Sequence, residues 1–180
     1  MKSFALFILA FAFLSPAVHA DIGVKNYRQV YSAMSIVTGV PKENPSTAAY
    51  FAGAYRRLSE TGAVSSVTAP LLLTTTVLAS RFCKEMINAD AAKPENQRAA
   101  HGAVDFTKSP EQFTQAAQKD VLTRYAYLFW GLQPTATELT TGMTAFAEAG
   151  VGLQQTPESL KLVLMAGCTP ALASLNLITH

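Results

Sequence analysis

Few residue types in this chain could do chemistry. There are two cysteines, three histidines and a scatter of carboxylates in 180 residues. Cys83 and Cys168 belong to no C-x-x-C or C-x-x-C-H motif, which excludes a thioredoxin-like redox pair and covalent haem attachment on spacing alone. Of the histidines, His19 falls in the N-terminal leader described below. His101 lies in a polar connector and His180 is the last residue. The H-E-x-x-H spacing of a helix-borne zinc site is absent, so no metal and no other cofactor is expected. Serine catalysis has neither a G-x-S-x-G elbow nor an S-x-x-K motif. Gly150-Val151-Gly152 lacks the strand and the remaining glycines of a phosphate cradle.

Paired carboxylates are the remaining route to catalysis, as in a glycoside hydrolase. Glu111, Glu138, Glu148 and Glu158 fall in or near helix ends, where the helix dipole or solvent accounts for them. Glu85 alone sits inside a helix, and Arg81 four residues earlier is its expected surface partner. No residue is therefore assigned as catalytic. Tyr125, Tyr127, Phe129 and Trp130 form an aromatic turn that falls all round one helix. Core packing is the plainer reading of that turn, and a partner-binding patch the functional one.

The start of the chain sets the compartment. Met1–Ala20 combines Lys2, an apolar core from Phe4 to Leu14, the breaker Ser15-Pro16, and small residues at Val18 and Ala20. That is the layout of a secretory signal peptide with cleavage expected after Ala20, before Asp21; the other reading is an uncleaved anchor. Residues 21–180 then form one domain, periplasmic or secreted. In an oxidising compartment two thiols have one intramolecular pairing, so a Cys83–Cys168 disulfide is expected over two buried free thiols. It would close a loop of about 85 residues, removing roughly 4 to 5 kcal/mol of denatured-state chain entropy.

Charge and hydropathy narrow the partners. With 14 basic and 12 acidic residues the formal charge is +2, and the basic residues are scattered. This predicts no nucleic-acid partner. After the leader, no apolar run is long enough to span a bilayer; Leu71–Ala79 holds three threonines and is followed by Arg81.

These residues are carried on helices. Thr68–Asn88 has two adjacent mostly apolar rows: Leu71, Thr75, Leu78, Phe82, Met86, and Leu72, Thr76, Ala79, Cys83, Ile87. A stripe that wide predicts a central helix packed on several neighbours, capped by Ser65, Ser66 or Thr68. Before it, Asn26–Thr38 is stopped by Gly39-Val40-Pro41. Asn44-Pro45 opens a helix running to Gly62. Ala89–His101 reads as an exposed polar connector with a helical turn after Pro94, and Val104 and Phe106 return to the core. Ser109-Pro110-Glu111-Gln112 starts a helix ending near Gly131. Pro134-Thr135 starts another, ended by Gly150 and Gly152. Thr156-Pro157-Glu158 starts the last, which places Leu160, Leu164, Cys168, Leu172 and Leu175 on one side. Pro170 predicts a kink there, or a restart with Thr169 as cap. No segment alternates with period two. The expected fold is all-α, a single compact bundle of about six helices with one disulfide.

The last third resembles a known group. Leu128–Phe146 (LFWGLQPTATELTTGMTAF) and Leu160–Ser174 (LKLVLMAGCTPALAS) are similar to the C-terminal helical module of exported bacterial proteins of the planctomycete-type cytochrome-associated families. The turn Gly131-Leu132-Gln133-Pro134-Thr135-Ala136-Thr137-Glu138 and the ending Cys168-Thr169-Pro170-Ala171-Leu172-Ala173-Ser174 carry the likeness. YSAMSIVTGVP and LASRFCKEM look like the same exported proteins further upstream. Pro170 departs from the smoother final helix of that module. The resemblance implies an exported helical fold and no particular activity. The functional expectation is a non-enzymatic exported protein, an accessory or structural subunit binding another envelope protein. The alternative is an envelope-acting hydrolase using helix carboxylates.

Overall fold

The computed structural model describes residues 26–55 and 68–174. The leader at residues 1–20, the expected cap at Gly62 and the row end at Leu175 lie outside the described residues. Each helix begins where a side chain can accept the first free backbone amides. Helix α1 (Tyr27–Thr38) has a reciprocal cap between Asn26 and Gln29 and ends at Gly39, whose φ of 68° is left-handed. Helix α2 (Pro45–Tyr55) starts at Asn44, whose Oδ1 accepts from the amides of Ser46 and Thr47. Helix α3 (Ala69–Ala91) takes Thr68 as its cap. Two 3₁₀ turns follow, Glu95–Gln97 and Pro110–Gln112. Helices α4 (Gln115–Trp130), α5 (Ala136–Gly150) and α6 (Pro157–Leu172) are capped by Thr114, Thr135 and Thr156. The described residues contain six α-helices and no strand, as the hydrophobic periodicity requires.

Helices α3 and α6 form the most extensive pairing, with α1 and α2 against α3 and with α4 and α5 against α6. Both rows of α3 are buried in its second half, through Leu78, Ala79, Phe82, Cys83, Met86 and Ile87. Leu72 departs from the expected stripe and is exposed. On α6, Leu160, Leu164, Cys168 and Leu172 are all buried. Cys83 and Cys168 are disulfide-bonded across this central pair, with Cα atoms 5.9 Å apart. Both are fully buried, so the bond joins two helices inside the core. Close approach of α5 to its neighbours depends on two glycines. A Cβ on Gly142 would lie 2.6 Å from Leu122 Cδ2, and one on Gly167 would collide with the Phe146 ring.

Three local expectations are corrected, and a fourth is narrowed. Helix α3 runs on to Ala91, so the first residues of the supposed connector are helical, and Asp90 is buried. At the connector's far end Ala100 and His101 are fully buried, so it is a strap tied to the core along part of its length. The Ser109–Gln112 capping box closes only a single 3₁₀ turn, and Thr114 then starts α4 afresh. The helix stops there because Phe113 takes an extended backbone that packs its ring against Phe146, 5.4 Å between centroids. Of the two outcomes expected at Pro170, the restart capped by Thr169 does not occur: helix α6 is continuous from Pro157 to Leu172. Proline removes one amide and crowds one carbonyl, and two residues from the helix end little remains to disrupt.

Candidate functional site

The aromatic turn closes α4. Tyr125 and Phe129, one helical turn apart, face inward and are buried, their rings stacked 5.5 Å apart. Tyr127 points to the opposite side, is 46% exposed, and accepts a hydrogen bond from Gln133 Nε2. Trp130 is half-buried, and its Nε1–H donates to Ala171 O at 3.0 Å and to Ser174 Oγ at 2.8 Å. The four residues therefore do not form one surface patch. A helix presents residues four apart to the same side and residues two apart to opposite sides. Tyr125 and Phe129 follow the plainer reading, core packing; of the four candidate patch residues, Tyr127 is exposed and Trp130 half-buried.

Beside Trp130 the last three helices leave a groove with room for about 250 Å³. Its walls include Leu122, Ala126, Trp130, Leu139, Ala145 and Ala171, and Thr137, Glu138 and Thr141 also line it. The Trp130 N–H is spent on the end of α6, so its ring meets the groove as an apolar wall. Glu138 is committed as well. Its Oε2 accepts from the Thr135 amide at 2.7 Å and from the Thr135 hydroxyl at 2.8 Å. Those two bonds hold its carboxyl below the usual carboxylate range. The groove thus suits an apolar guest.

A second constellation was not expected from the sequence. The fully buried His101 ring bridges α3 and α4: Nδ1 lies 2.9 Å from Asp90 Oδ2, and Nε2 lies 2.7 Å from the Tyr125 hydroxyl. Asp90 also accepts the amides of Ala99, Ala100 and His101, at 3.0, 2.9 and 3.3 Å. Burial by itself would raise the Asp90 carboxyl. The His101 bond and the Ala100 and Ala99 amides outweigh it and hold the group far below its usual range. Burial lowers the His101 imidazole despite Asp90 beside it, and burial followed by the Asp90 charge raises the Tyr125 phenol. A carboxylate can only accept, so Nδ1 is the donor of the Asp90 pair, and burial favours the neutral imidazole. Asp–His–hydroxyl order resembles a hydrolytic triad, but all three side chains are buried, and the Tyr125 hydroxyl is spent on His101. One sequence signal pointed here. Asp90 stands four residues after Met86 and seven after Cys83, so it extends the buried face of α3 with a charge. His101, between alanines and a glycine, carried no such signal.

The remaining site expectations disperse. Glu85 is half-buried and accepts from Asn44 Nδ2 at 3.2 Å. Arg81 lies over the Tyr50 ring, 4.9 Å from its centroid. The expected Arg81–Glu85 pair is replaced because α2 and its capping residue pack over this stretch of α3 and supply nearer partners. Glu158 pairs with Lys161 at 2.8 Å. Among the described residues no group of His, Cys, Asp and Glu converges in a way that could hold a metal ion, and no helix is long and apolar enough to cross a membrane. Comparison with family models, with curated proteins and with solved structures returns no match for this chain.

Proposed function

We propose that this is an exported, non-enzymatic helical protein of the bacterial periplasm, an accessory or structural subunit that binds another envelope protein. One observation carries the reading. The groove between α4, α5 and α6 is walled mainly by apolar side chains, and two of its polar side chains, Trp130 and Glu138, already hydrogen-bond within the fold. Such a groove takes an apolar side chain from a partner, the geometry by which helical proteins anchor a guest. The leader-like residues 1–20 and the disulfide across the core support export. The Gly131–Glu138 turn, part of the resemblance to exported helical proteins, forms one edge of the groove.

The test is site-specific cross-linking in intact cells. A photo-reactive residue at Thr137, exposed at the rim, should yield one dominant adduct with an envelope protein. Thr141→Arg, which fills the groove from another exposed position, should abolish the adduct while leaving the melting temperature within a few degrees. A dominant adduct that survives Thr141→Arg would show that the groove is not the binding site. Export is read separately, by finding Asp21 as the first residue of periplasmic material.

A further inference from the structure

The strap between α3 and α4 is fastened by a small set of groups. Asp90 accepts three consecutive strap amides, and His101 reaches from the strap to both helices. Arg98 lies over the Phe106 ring, 5.1 Å from its centroid, and donates to the carbonyls of Lys93 and Val104. Ala100, Val104 and Phe113 of the strap itself are part of the hydrophobic core. Release of the strap therefore uncovers apolar surface.

The geometry points to an acid-sensitive latch: a proton added at His101 Nε2 releases the 92–113 strap from α3 and α4. In the closed form Nδ1–H donates to Asp90, and the Nε2 lone pair accepts the Tyr125 hydroxyl. A proton on Nε2 turns that atom into a donor, so Tyr125 must redirect its own hydrogen. The acceptor in reach is Leu164 O at 3.5 Å, a distance at the limit of a hydrogen bond and on a carbonyl inside α6. The groups facing the ring decide the balance. From α3 Asp90 favours the added charge, and Lys93, 3.6 Å from the other Asp90 oxygen, offsets it. Arg98 of the strap and Arg124 of α4 oppose it, the latter itself paired with Asp120 at 2.8 Å. Tyr125 is neutral, α6 presents the Leu164 carbonyl, and the Phe106 ring lies T-shaped to the imidazole with centroids 5.8 Å apart.

Burial and the two arginines depress the imidazole from its ordinary 6.5 in the closed form, whereas a released His101 in water keeps that value. The sign follows. The closed strap binds fewer protons than the open one, so its hold is complete above 6.5 and weakens as the pH falls through the closed-form value.

Two measurements on the wild-type protein test the latch. Nitrogen NMR of the histidines should find His101 neutral near pH 7, with a midpoint below 6.5. Hydrogen exchange should show the amides of Ala99, Ala100 and His101 losing protection between about pH 7.5 and pH 5, after correction for intrinsic rates. The loss is up to about tenfold for each unit by which the midpoint is depressed. Amides of α6 from Leu164 to Cys168 should keep theirs. A midpoint at or above 6.5, unchanged strap protection, or loss of strap and α6 protection together would each overturn the proposal. His101→Gln, if it folds, should make strap protection independent of pH; the wild-type data decide the matter if it does not.

Discussion

Helix α3 buries a polar residue near each end, Thr75 and Asp90, and the fold treats the two ends in opposite ways. At the C-terminal end every group in the Asp90–His101–Tyr125 chain has a partner, and the partners come from three separate stretches of sequence. At the N-terminal end the Thr75 hydroxyl is buried with no hydrogen-bond partner among the described residues, and so is the Tyr27 hydroxyl on α1. On the side of α1 and α2 the packing is by rings: Phe51 stacks on Tyr31 at 4.2 Å and on Tyr27 at 5.2 Å between centroids, and Tyr31 meets Phe82 of α3 at 5.6 Å. A paired polar group fixes one arrangement because loss of either partner strands the other. A stacked ring tolerates sliding. The comparison therefore separates a region specified by hydrogen bonds from one specified by apolar contact.

The largest effect that tests this contrast is expected at the two ends of α3. Asp90→Ala strands three amides and the His101 ring, and should cost about 3 to 5 kcal/mol in urea denaturation. Thr75→Val should cost nothing or stabilise by up to about 1 kcal/mol, since it removes an unpaired buried hydroxyl. Equal costs at the two positions would erase the distinction. A smaller difference is expected between the two tyrosines. Tyr125→Phe leaves His101 Nε2 without its donor and should cost about 1 to 2 kcal/mol, whereas Tyr27→Phe should be neutral.

The smallest effect lies in alkali. Burial, then Tyr50 and Tyr31, raise the Tyr27 phenol; burial, then Asp90, raise Tyr125. Both contribute stability that is full below 10.0 and is lost as the pH rises above it, because the unfolded chain releases those protons first. Ultraviolet titration should show both phenols ionising only as the protein unfolds. Ionisation of either with the fold intact, at the ordinary phenol value, would show that it is not sealed from water.

Much of the local structure was legible in the residues. Helix starts at Asn26, Asn44, Thr68, Thr135 and Thr156 follow from side chains that accept free amides, a contact spanning two or three residues. The start at Ser109 misled for the same reason. Its capping box forms, yet one turn later Phe113 gains more from the core than the backbone gains from staying helical. The aromatic turn was legible as mixed, and the identity of its buried members was not. Which side of α4 meets α6 depends on both helices.

The sequence by itself determined what short-range chemistry and hydrophobic period can determine: an all-helical chain, most of its caps, the central helix, and the pairing of its two cysteines. Only the tertiary structure decided what joins residues far apart in the chain. His101 meets Asp90 and Tyr125 across separations of 11 and 24 residues, and Trp130 reaches the end of α6 across 41. The physical reason is that a buried polar atom must find a partner wherever the packed helices present one, and packing sets that place.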